Sequence, residues 1–187
     1  KDNGYLEYDY LCATTLTFFF LKILSKKIKC KINISDYSIY VVLATVCDVM
    51  PMRKLNRLIA IDVLKKFDVS KNYAFNLLFK LNNKNNKINI DDLGFLIGPI
   101  LNAGGRLGKS NYATQLLSSN NITIIKDLAI DLNNLNQKRK KIETLILNKI
   151  DFNKIEKDNK EIIILYAPNI NEGLIGIIAA RLKDYFN

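Results

Sequence analysis

Apolar positions fall into blocks separated by short polar stretches, and most blocks repeat with the three- to four-residue period of a helix. Residues 11–24 (LCATTLTFFFLKIL) are strongly apolar. The block is shorter than the ~20 residues that cross a bilayer, and Lys22 interrupts it, so it reads as a buried core helix with a basic, solvated end at 26–31. Ser35-Asp36 offers an N-cap for a helix running to Cys47, with Ile39, Val42, Leu43 and Val46 on one face. Residues 56–67 and 70–81 read as amphipathic helices, the second capped by Ser70 with Tyr73, Leu77 and Leu81 on one face. Tyr73, Phe75 and Phe79 read as core rather than as a base-stacking surface.

After a polar loop at 82–87, Asp91-Asp92 suits a helix N-terminus, and Pro99 is expected to kink or end that segment. A short helix follows at 111–118. Residues 122 to about 158 then read as one long polar helix with Leu128, Leu132, Leu135, Ile142 and Leu145 as its apolar stripe. Its basic run, Lys138 to Lys141, faces either nucleic acid or plain solvent. Residues 161–167 (EIIILYA) predict a short strand, and 173–185 a helix, which together give a βα unit at the C-terminal end.

Composition narrows the chemistry. Apolar residues make up 49% of 187, enough for a core. The net charge of +10 favours an anionic partner, although abundant Lys, Asn and Ile is also what an AT-rich genome produces. There is no histidine, which excludes Ser–His and Cys–His catalysis and any histidine metal ligand within the chain. Three scattered cysteines without a CxxC pair indicate neither a disulfide framework nor a zinc ribbon, and point to a reduced, cytoplasmic setting. The chain opens at Lys1 and closes just after the βα unit, so both ends read as cuts within a longer sequence.

Two stretches carry candidate chemistry. In LATVCDVMP (43–51), Asp48 stands in apolar surroundings before Pro51. It either caps a following helix or pairs with Arg53 or Arg57, or it offers carboxylate oxygen to a hard cation such as Mg²⁺ or Mn²⁺. In IGPILNAGGRLGKS (97–110), Gly108-Lys109-Ser110 invites a phosphate-loop reading, but Ala103 stands where that motif requires its first glycine. Two other readings stay open: a junction where helix backbones pack closely, and a phosphate contact at Arg106.

These blocks, with Asn56-Arg57 between them and NEGLIGIIAARLKDYF (171–186) after them, resemble in order and spacing the RecJ family of the DHH phosphoesterase superfamily. LCA at 11–13 matches as well, and the resemblance covers essentially the whole chain. It implies an α/β parent fold, of which this chain is a predominantly α-helical part with the short βα unit at its end. Residues 1–121 would complete the phosphoesterase domain, 122–158 would be a connecting helix, and 159–187 would open the associated domain. It implies 5′→3′ exonucleolysis of single-stranded DNA in recombination and repair, with two Mn²⁺ or Mg²⁺ ions. Residue by residue, it implies Asp48 as catalytic metal ligand and Asn102, Gly105, Arg106, Asn171, Glu172 and Arg181 as nucleic-acid-binding positions. The family's Gly-Pro-Arg reads Gly98-Pro99-Ile100 here, its Trp-His reads Ile170-Asn171, and its frequent serine reads Ala180. The Asp-His-His motif is not in this sequence, so the chain alone is expected to be inactive. A phosphoesterase for small nucleotides and a catalytically dead nucleic-acid-binding protein are the alternatives.

Overall fold

The computed structural model describes residues 8–85, 87–158, 162–166 and 170–186, and every regular element among them is helical. They divide into two compact units, Lys1–Gly98 and Pro99–Asn187.

The first unit is built around α2 (Ser38–Cys47). Its sequence, SIYVVLATVC, has no charged residue, and Ile39, Val41, Val42, Leu43 and Thr45 are all buried. Such a helix is covered on several sides: α1 (Ala13–Lys27), α3 (Lys54–Lys66) and a wide π-helical turn at Asp92–Ile97 all pack on it. The expected cap at Ser35-Asp36 gives way to a 3-10 turn, Ile34–Tyr37, capped by Asn33, whose side chain accepts the Ser35 N–H at 3.2 Å. At the start of α1, the Cys12 Sγ lies 3.2 Å from Thr15 Oγ1 and 3.7 Å from Thr45 Oγ1, a small polar joint to α2.

Three expectations for the chain up to α5 are corrected. Helix α1 forms as predicted but is not a core helix: Thr15 is its one buried residue, while Leu16, Phe20, Leu21 and Ile23 lie open to solvent. In α4 (Tyr73–Leu81), the cap is Asn72, accepting from Phe75 N at 3.1 Å, rather than Ser70. The buried face is Ala74, Phe75, Leu78 and Phe79, not Tyr73, Leu77 and Leu81. Seven of the nine residues of YAFNLLFKL are apolar, so the helical period offers two faces, and the edge contact of Phe75 with Phe67, 5.4 Å between ring centroids, goes with the one chosen. Third, Pro99 does not end its helix. The Gly98 N–H bonds the Leu93 carbonyl, a five-residue spacing, and α5 (Gly98–Arg106) continues from there. Pro99 sits where the ladder changes spacing, in the first turn of α5, so its missing N–H is tolerated. Asp92 behaves as expected at a helix start. It accepts the Asn89 N–H at 3.1 Å while its own N–H bonds the Asn89 side chain at 2.9 Å, a capping box that Lys84 closes with an ion pair at 2.8 Å.

The second unit contains most of α5, then α6 (Tyr112–Ser118), α7 (Ile122–Leu147), α8 (Phe152–Asp158) and α9 (Glu172–Phe186). Helix α7 packs against α6 and α9, burying Ile125, Leu128, Ala129 and Leu132. Asn121 caps α7, accepting from Thr123 N at 2.9 Å. The long helix expected to reach residue 158 ends at Leu147, and α8 is a separate element whose Phe152 ring lies 4.5 Å from Tyr185 of α9. The stripe holds at Leu128 and Leu132; Leu145 is exposed. Residues 162–166 of the predicted strand form no strand, since no segment among the described residues supplies a ladder to pair with. Glu161 and Ala167, its ends, lie outside the described residues.

Candidate functional site

In the first unit, Asp48 is the C-cap of α2. The Val49 N–H bonds the Val46 carbonyl at 3.1 Å and the Met50 N–H bonds the Thr45 carbonyl at 3.0 Å, the paired bonds of a Schellman ending. That ending calls for a left-handed residue, usually glycine, and here Val49 takes it at φ 53° while 87% exposed. Two local penalties meet at this turn. A β-branched residue adopts positive φ, and a carboxylate sits at the negative end of a helix dipole. Strained backbone of this kind concentrates at functional sites. The apolar surroundings expected for Asp48 are overturned: it is exposed. Neither does it pair with Arg53, which instead reaches Asp9 at 3.4 Å and lies over the Tyr10 ring. Burial, and then the Asp48 charge, push the Cys47 thiol pKa up. A β-carbon at Gly98 would stand 2.5 Å from the Cys47 sulfur, so that glycine is what lets the π turn approach α2 beside Asp48.

The loop after Asp48 is held by Asn56 of α3. Its Nδ2 donates to the Tyr10 carbonyl at 2.8 Å and to the Pro51 carbonyl at 3.0 Å, and its buried Oδ1 has no partner among the described residues. No three histidine, cysteine or carboxylate side chains converge as a metal site among the described residues. Asp48 offers carboxylate oxygen, the donor chemistry that hard cations take.

In the second unit, Asn102, Gly105 and Arg106 fall at i, i+3 and i+4 and share one face at the end of α5. Asn102 and Gly105 are exposed and Arg106 is half-buried. Gly108, at φ 81°, ends the helix, and the Lys109 N–H returns to the Gly104 carbonyl at 2.7 Å. Gly108-Lys109-Ser110 is thus a helix ending, not a loop between strand and helix, and the phosphate-loop reading falls. The close-packing reading holds at Gly104, where a β-carbon would stand 2.7 Å from the Lys109 carbonyl oxygen and 2.9 Å from Leu132.

Helix α9 brings its first turn to this same place. Arg106 Nη1 donates to the Gly173 carbonyl at 2.8 Å, and Asn171 caps the helix by accepting from Gly173 N at 2.9 Å. Glu172 is exposed beside it. Asn102, Gly105, Arg106, Asn171 and Glu172 are therefore brought to one region, and Arg181 is not. It lies eight residues past Gly173, about 12 Å along the helix, with its Nε 2.9 Å from Glu143 Oε1. That hydrogen bond, then the carboxylate charge, raises the Arg181 pKa further. The basic run of α7 is split: Lys138, Lys140 and Lys141 are exposed, while Arg139 turns inward to Glu143 at 3.0 Å. Asn136 and Glu143 were not among the sequence candidates, and Arg139 was read only as part of the basic run. Their signal was nevertheless present, as polar residues in phase with the apolar stripe that runs through Leu128 and Leu132.

This helical architecture is that of part of an exonuclease of known structure. RecJ from Thermus thermophilus, solved in complex with Mn²⁺, superposes on 80% of this chain and 22% of that one, with a TM-score of 0.68 and 25% identity. An exonuclease RecJ bound to manganese shares the fold over 90% of this chain and 42% of that one, with a TM-score of 0.73. In sequence, the chain is 35% identical over 164 residues to the single-stranded-DNA-specific exonuclease RecJ of Haemophilus influenzae, and 32% identical over 162 residues to that of Escherichia coli. Each match covers 83% of this chain and 28% of the relative. No protein-family model matches. The chain is thus similar to one part of RecJ, and it spans little more than a quarter of the length of these relatives.

Proposed function

We propose that the chain is part of a metal-dependent exonuclease that degrades single-stranded DNA in the 5′→3′ direction, serving recombination and repair in the cytoplasm. The observation that carries this is the 35% identity to a single-stranded-DNA-specific exonuclease over 164 residues. Among the described residues no helix is long and apolar enough to cross a membrane. On this reading residues 1–121 complete the phosphoesterase domain of an α/β parent fold, 122–158 connect, and 159–187 open the associated domain, where the 162–166 segment pairs as a strand. Asp48 is one ligand to Mn²⁺ or Mg²⁺, the ions found in solved relatives. Bound there, the ions supply an activated water and neutralise charge on the leaving oxygen. Arg106 contacts a DNA phosphate through the guanidinium donors not used by Gly173, because that planar fork matches phosphate oxygens. Asn102, Gly105, Asn171 and Glu172 line the same place, with Arg181 behind them on α9.

The test is made in the whole protein that carries these residues. Asp48→Ala is expected to abolish metal-dependent degradation of a 5′-phosphorylated single strand by at least about 10³-fold and to leave the circular dichroism unchanged. The 187-residue chain alone is expected to cleave nothing. Hydrolysis of dinucleotides with long strands left intact would shift the reading to a small-nucleotide phosphoesterase. Binding without any hydrolysis would shift it to a non-catalytic binding protein.

A further inference from the structure

The second unit holds an ionic network whose α7 members are largely buried, while Arg181 of α9, which joins it, is 58% exposed. Asn136 and Glu143 of α7 are 3% and 8% exposed. Arg139 Nε donates to Asn136 Oδ1 at 3.1 Å and its Nη1 to Glu143 Oε2 at 3.0 Å. The other carboxylate oxygen, Oε1, accepts from Arg181 Nε of α9 at 2.9 Å. One carboxylate thus joins two helices, each oxygen serving a different guanidinium. Such a network is a poor adhesive, since apolar side chains of similar volume would hold two helices at least as firmly. What ion pairs do well is specify register.

Register needs specifying here. The buried residues of α9 are Leu174, Ile178 and Leu182, spaced four apart. A slip of α9 by one turn, about 5.4 Å, would put one large aliphatic residue where another had been, so the apolar stripe discriminates weakly. The Glu143–Arg181 pair does not survive that slip. Register in turn decides what happens at the first turn of α9. There a β-carbon on Gly173 would stand 2.6 Å from the Arg106 carbonyl oxygen, and the Gly173 carbonyl holds the Arg106 guanidinium. Any other residue of α9 brought to that point, Gly176 excepted, carries a side chain into the Arg106 backbone.

We propose that Glu143, braced by Arg139 and Asn136, is a positioning residue that fixes the register of α9 through Arg181 and thereby aims the Arg106 guanidinium at the DNA phosphate. The second half rests on the exonuclease reading. The first half does not, and the two are measured separately. Arg181 is on this account a strut rather than a phosphate contact.

The test uses the whole protein, with hydrogen exchange followed by mass spectrometry and binding of a fluorescent oligothymidylate measured over a salt series without divalent metal. Glu143→Ala, and more mildly Glu143→Gln, is expected to speed exchange across 172–186 about tenfold or more and to leave 38–47 in the first unit unchanged. Removing an anion by itself raises affinity for DNA. The proposal instead requires Glu143→Ala to weaken binding several-fold and to lower the salt slope by about one, as loss of the Arg106 phosphate contact does. Glu143→Ala combined with Arg106→Ala is expected to bind no more weakly than Arg106→Ala alone. Unchanged exchange in α9 overturns the register role. Tighter binding by Glu143→Ala, or additive losses in the double variant, overturns the link to Arg106. A wild-type protein without salt-dependent affinity for the strand overturns the nucleic-acid reading, and with it the aiming role, whatever the exchange shows.

Discussion

At the scale of the residue, the turn after α2 concentrates the local misfits of the first unit. Val49 occupies a left-handed position that costs a β-branched residue about 1–2 kcal/mol, and it is too exposed to recover that by packing. Val49→Gly is therefore expected to stabilise the protein by about 1 kcal/mol and to raise Tm by about 2–4 °C. A fall in Tm would show that the valine makes a contact worth more than the strain. Asp68 gives a pH signature. Its carboxylate accepts from the Ser70 hydroxyl at 2.6 Å and from the Ser70 N–H at 2.9 Å, and these bonds lower its pKa. A depressed carboxyl contributes stability that is fully present above the unfolded value, near 3.9, and is lost as pH falls through the folded value. The Tm difference between wild type and Asp68→Ala is expected to be constant above about pH 5 and to shrink toward about pH 3. A difference that stays flat across this range would mean the bonds do not favour the ionised form. Neither Val49 nor Asp68 stood out in the sequence, because positive φ and a capping bond are decided by how a turn closes.

At the scale of the element, α9 carries two glycines that ask for opposite outcomes. Gly173 lies against the Arg106 backbone, with no room for a methyl group, whereas a β-carbon on Gly176 would meet nothing within 4 Å. Helix propensity favours Ala at both by about 0.8–1 kcal/mol. Gly176→Ala is expected to realise that gain, while Gly173→Ala is expected to destabilise by about 1–3 kcal/mol, because backbone atoms must move. Denaturant titration of the two variants measures both signs, and equal effects would mean α9 does not dock on α5 as described. Elements were the most legible level. The helices read at 35–47 and 56–67, which form at 38–47 and 54–66, were visible as periods, since burying one helix face imposes a repeat that needs no knowledge of the partner, and those read at 111–118 and 173–185 form at 112–118 and 172–186. What the period left undecided was which face turns inward when nearly every position is apolar, as in α4, and where a polar helix stops, as at Leu147 in α7.

At the scale of the whole molecule, the open apolar face of α1 is the largest departure from the sequence reading. Leu16, Phe20 and Ile23 are each more than half exposed. Phe20→Lys combined with Ile23→Lys is expected to leave Tm within about 1 °C, since surface changes away from packing are nearly neutral, and to lower the binding of an apolar dye. A loss of several degrees would show that these side chains are packed in solution. The sequence by itself determined the resemblance to RecJ, most of the helical elements, and the candidate positions Asp48 and Arg106, because motifs, periods and charge are local properties of the chain. It also held, in phase but unread, Asn136 and Glu143 on the same face as Arg139 of the basic run. Only the tertiary structure decided that Asp48 is exposed at a strained helix end, that Gly108 closes a helix instead of wrapping a phosphate, and that Arg181 is spoken for by Glu143 while Arg106 meets Gly173. The last two contacts bring residues tens of positions apart within 3 Å, and no local pattern encodes which distant partner a side chain will find.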